Sequence, residues 1–301
     1  MAWGPDRSVK AVLSVDYYAS DRLWPQVLEA ASGNPTNLYV LSAVNRALYH
    51  TGRLGYDLPL FQRPDDLLLL GRDLRAHWSR VDLYLDLGCA NAALHHLSEA
   101  LAVYGERPAL LRRLALIHLV LGNVGTARIY LHSLARTPFH AAWAGDYLRR
   151  LAQDPTLARD PEIVRLRHLA PVADELIPLP AAALLEGLLD AHRDNRMACE
   201  YLVAHCLLSK DLRPLARDPR RLEALGSSPL PPLYDEALVL MARQAALDPA
   251  TLVPAPSPAA VQRYERFAEA VRTFGQDPGR WSEPLAREFA GSYFLHYLSR
   301  R

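Results

Sequence analysis

Two stretches of this sequence repeat apolar residues at helical spacing, and a joint of only two or three residues separates them. In Pro108–Leu121, the apolar residues Leu110, Leu111, Leu114, Ile117, Val120 and Leu121 fall at steps of three and four, which makes one apolar stripe. In Val124–Arg136 the stripe is Ala127, Tyr130, Leu131 and Leu134. Between them lies Leu121-Gly122-Asn123, where the glycine suits a left-handed helix end. Two amphipathic helices joined this tightly must fold back as an antiparallel hairpin. One hairpin cannot cover its own apolar face, so hairpins must stack. Alternating β-branched runs are nearly absent, and there is no Asn-Gly or Asp-Gly hairpin turn. The chain is therefore expected to be all-α.

The turn glycine recurs. Gly52, Gly88 and Gly122 stand in equivalent contexts, 36 and 34 residues apart. A period of 34 is that of tetratricopeptide hairpins. A 34-residue frame starts repeats near Gly4, Leu38, Leu74 and Pro108. The small residue wanted where helices cross falls on Ala11, Asn45, Val81 and Ala115, and early in the second helix on Leu23, Asp57, Ala93 and Ala127. Pro59 and Pro64 degrade repeat two, so an irregular segment is expected across Gly55–Gly71. The expected architecture is a right-handed α-solenoid of tetratricopeptide-like helical hairpins over residues 1–153. A more irregular α-helical region over 154–301 packs on it or continues it. There, Asp154-Pro155 and Asp160-Pro161 read as helix starts, and Ala181–His192 and Arg196–Ser209 as a hairpin. Pro231–Leu247, Pro258–Phe274 and Trp281–Leu298 read as three more helices.

Charge and cysteine usage narrow the function classes. Net charge is +1, so the basic excess of a duplex-binding protein is missing and no nucleic-acid partner is expected. Cys89, Cys199 and Cys206 are too few for a disulfide framework and read as buried small hydrophobes. The first residues carry no apolar leader core, and no run reaches the ~18 apolar residues of a spanning helix. The chain as given is expected to be soluble, cytoplasmic or membrane-associated, meeting a membrane only indirectly, through a partner or a missing N-terminal membrane region.

Several segments resemble the C-terminal soluble region of an uncharacterised bacterial membrane-protein family, a domain of unknown function. They are Asn45-Arg-Ala-Leu48 with Thr51-Gly-Arg-Leu54, then Tyr84-Leu-Asp-Leu-Gly-Cys-Ala-Asn-Ala-Ala93, then Leu111-Arg-Arg-Leu114 through Leu121-Gly-Asn-Val-Gly-Thr-Ala127 to Phe139 and Trp143. Asn195-Arg-Met-Ala-Cys-Glu-Tyr-Leu202 and Leu233-Tyr-Asp-Glu-Ala-Leu238 also fit. Such family members carry spanning helices ahead of this region, and this sequence departs from them in having none. The resemblance implies the fold and assigns no activity.

Motifs for chemistry are missing. His192-Arg193-Asp194 lacks the spacing and companion loops of a kinase catalytic loop. His95, His96, His118, His132 and His140 lack ligand spacing on one helix face, so no metal and no cofactor are expected. Asp65-Asp66 and Asp174-Glu175 read as helix caps. What remains is a groove. In tetratricopeptide arrays the resemblance puts positions 2, 5, 6, 9, 12 and 13 of each first helix on the concave face. Tyr39, Arg46, Tyr49, His50, Arg75, Trp78, Arg112 and Arg113 are the resulting candidates for a basic, aromatic peptide-binding groove. The expected function is a non-enzymatic protein–protein interaction or scaffold module, as an accessory subunit of a membrane-associated complex. The alternative is an enzyme whose site lies in the C-terminal half, around His192, Asp194, Glu200 and His205.

Overall fold

One hydrogen-bond pattern builds the glycine-marked joints. At each, a residue in the left-handed region ends a helix, and the next residue's N–H donates to a carbonyl five residues back. Gly88 (φ +94°) is followed by Cys89, bonded to Tyr84 at 2.8 Å, and Gly122 (φ +78°) by Asn123, bonded to His118 at 2.8 Å. Gly52 (φ +67°) precedes Arg53, bonded to Leu48 at 2.7 Å. Three joints make the same turn without glycine. Their left-handed residues are Arg22, Lys210 and Ala246, followed by bonds Leu23 to Tyr18, Asp211 to Cys206 and Leu247 to Ala242.

The computed structural model describes residues 7–32, 37–61, 77–170, 180–226, 229–274 and 287–298. It is all-helical, with no strand among the described residues. In order, the helices are α1 (Arg7–Ser20), α2 (Trp24–Ala31), α3 (Leu38–His50), α4 (Leu54–Phe61), α5 (His77–Asp86), α6 (Ala90–Tyr104), α7 (Pro108–Val120) and α8 (Val124–Leu134). Then come α9 (Ala141–Gln153), α10 (Pro161–His168), α11 (Ala181–Ala191), α12 (Arg196–Ser209), α13 (Arg213–Arg217), α14 (Pro232–Gln244), α15 (Pro258–Phe274) and α16 (Tyr293–Leu298). Contacts group the chain into two units. The first holds Met1–Tyr17, Ala30–Arg46 and Leu69–Leu179; the second holds Tyr18–Glu29, Ala47–Leu68 and Pro180–Arg301.

In the first unit, α5 to α9 pack each on the next, and α5 also touches α7. Ala93, Ala100, Ala115 and Ala127 are fully buried at the crossings, where small side chains let helix axes approach. The grouping runs past residue 153 because α10 closes the ends of earlier helices. Arg167 donates to the Leu119 and Val120 carbonyls at 2.7 and 3.1 Å, and Arg165 to that of Asp86 at 3.3 Å. A cation on the final carbonyls of a helix answers its negative dipole end. Asp160 caps α10 as expected, accepting from Glu162 and Ile163 N–H. Asp154 does not start a helix. It sits at the end of α9, and its carboxylate closes the following turn onto Thr156 and Arg159 N–H.

In the second unit, α12 and α14 are buried nearly all round, the mark of central helices. Adjacent acids on α14 anchor two later helices. Asp235 takes Ser257 N–H at 2.7 Å ahead of α15, and Glu236 takes Tyr293 N–H at 2.6 Å and the Ser292 hydroxyl at 2.8 Å ahead of α16. The expected single helix Trp281–Leu298 is therefore broken within its described part. Gly291 (φ +73°) turns the chain, and Ser292 restarts it. The irregular stretch expected from Gly55 also fails in its first seven residues, because α4 continues through Pro59 to Phe61. Its buried Leu54 and Leu58 and its packing on α12 and α14 outweigh one missing donor. The approach is close: a Cβ on Gly55 would lie 2.5 Å from Pro231 Cβ. Pro64 lies outside the described residues.

The joints give a graded prediction. Gly122→Ala meets open space and suffers only its left-handed backbone, which costs about 1–2 kcal/mol. Gly88→Ala adds a Cβ 2.5 Å from the Leu169 carbonyl oxygen and should cost more than about 3 kcal/mol. Urea unfolding of the two variants checks the order, and equal midpoints would contradict it.

Candidate functional site

Asp82 stands midway along α5 and receives two arginines, one from α3 earlier in the sequence and one from α7 later in it. Arg113 of α7 donates to it twice, from Nε at 2.7 Å and Nη2 at 2.8 Å, a bidentate fork. Arg46 of α3 reaches the same carboxylate at 3.2 Å and Asp86 at 2.7 Å. Arg113 also donates to the Ala109 carbonyl at 3.2 Å and lies 3.5 Å from Asp16 of α1. Asp16 in turn accepts from the Tyr39 hydroxyl. The Arg46 and Arg113 side chains are each 8% exposed, so this is interior chemistry.

Burial and charge set the protonation of this network. Burial alone would raise Asp82, but Arg113 and then Arg46 outweigh it and hold the carboxyl below its ordinary value. Burial would lower Arg113, yet Asp82 keeps its guanidinium firmly charged. Burial pushes the Tyr39 phenol well up, with Asp16 and Asp82 adding to the effect and Arg113 opposing it.

A second group lies on α7 and α9 in the same unit. The Arg112 guanidinium sits 4.9 Å from the Trp143 ring centroid. Trp143 and Tyr147 have centroids 4.9 Å apart, and Arg150 lies 4.8 Å from the Tyr147 centroid. The order is cation, ring, ring, cation, with all four side chains half-buried.

The eight groove candidates therefore separate. Tyr39, Arg46 and Arg113 meet in the buried ion network, and Arg112 stacks on Trp143. Tyr49 and His50 belong to the second unit, Tyr49 edge-on to Tyr201 at 6.4 Å and His50 stacked on Trp24 at 4.4 Å. Arg75 and the Trp78 side chain lie outside the described part. Among the alternative residues, Asp194 is exposed in a turn. Glu200 is buried and paired with Arg196 at 2.8 Å. Glu200 and His205, five apart on α12, point about 140° apart. That set does not share one helix face. The cysteines are buried, and burial pushes the Cys199 thiol up to about 12.

The sequence itself settles the kinship. The chain belongs to a family of unknown function (DUF6057). The family's sequence model matches residues 1–300. No curated protein and no solved structure matches the chain. No helix among the described residues of this DUF6057 chain is long and apolar enough to cross a membrane. The signal that could have found Trp143, Tyr147 and Arg150 is the frame itself. Advanced one period from Pro108, it opens a further repeat at Ala142 and puts these residues at positions 2, 6 and 9.

The buried network predicts two pH limits. Asp82 is depressed in the fold, so its contribution is present above its unfolded value near 4 and is lost as pH falls below that. Tyr39 is raised, so its contribution is present below about 10 and is lost as pH rises further. Stability profiles of Asp82→Asn and Tyr39→Phe should be flatter at the acid and alkaline ends respectively. Profiles parallel to the parent protein's at both ends would contradict this assignment.

Proposed function

We propose that this chain is a non-enzymatic protein–protein interaction module, a right-handed solenoid of tetratricopeptide-like hairpins. It serves as a scaffold or accessory subunit of a membrane-associated assembly, reaching the membrane through its partner. The repeat reading is supported by one turn geometry recurring at spacings of 36 and 34 residues. Buried small residues at Ala93, Ala115 and Ala127, the frame positions where helices cross, add to it. The observation that carries the functional reading is the meeting of concave-face positions from successive first helices. Tyr39, Arg46, Asp82, Asp86 and Arg113 all hold such positions, and their side chains meet in one network. A stack of first helices tied in this way is a rigid bed. Beside it, the Arg112–Trp143–Tyr147–Arg150 strip offers the residue types that dominate protein interfaces.

Cross-linking the tagged full chain in its native cell, followed by affinity recovery, tests the reading. The parent protein should recover a specific partner that a folded Arg112→Glu/Trp143→Ala variant loses. A partner set unchanged by the variant would overturn the assignment of the binding face.

A further inference from the structure

We draw no further inference here: the strongest candidate, the exposed apolar surface patch of Val9, Leu13 and Tyr17 along α1, carries nothing because nothing in the structure shows what covers it.

Discussion

Asp82 is shared by Arg113 and Arg46, and the register of α3, α5 and α7 follows from that sharing. Each arginine arises from a different helix, and both have little access to water. A buried guanidinium without its carboxylate is costly, about 3–5 kcal/mol when one partner is removed. The arrangement does not need to add much net stability over an apolar one. Its physical effect is selective: sliding α3, α5 or α7 past its neighbours would strand charges in the interior. The apolar seam alone, built of Leu, Ala and Val, tolerates such slips far better.

A fixed register has a consequence for the surface. The same α7 that contributes Arg113 inward contributes Arg112 to the Trp143 ring, and these neighbours in sequence leave the helix about 100° apart. Anchoring one therefore orients the other. α9 is held in turn by its apolar face, with Ala144 and Leu151 fully buried. The rings and cations of the strip are thus set by packing beneath them. In the second unit the same logic uses carboxylates on helix starts: Asp235 and Glu236 place the beginnings of α15 and α16 against α14.

Much of this was legible in the sequence because glycine punctuates it. Gly52, Gly88 and Gly122 do end helices in the left-handed region, so the hairpin boundaries around them are right to within a few residues. The same turn at Arg22, Lys210 and Ala246 carries no such signal, since those side chains accept a strained φ that the surrounding contacts impose. Pro59 misled for the opposite reason: a local helix breaker was overruled by the burial of Leu54 and Leu58. Pairing was the least legible feature. Arg46, Arg112 and Arg113 read alike as groove cations, and only the partners Asp82, Asp86 and Trp143 separate two interior ion pairs from one ring-stacked cation. Tyr147 and Arg150 lie beyond the four repeat starts read in the sequence, at Gly4, Leu38, Leu74 and Pro108.

The claim beneath all of this is that Asp82 and Arg113 act as a coupled pair, not as two independent polar residues. A double-mutant cycle on the full chain measures it, using Asp82→Asn, Arg113→Met and the combination in urea unfolding. The account predicts that each single change is strongly destabilising and that the double is hardly worse than either, a coupling of about 2 kcal/mol or more. Single effects that simply add would contradict it.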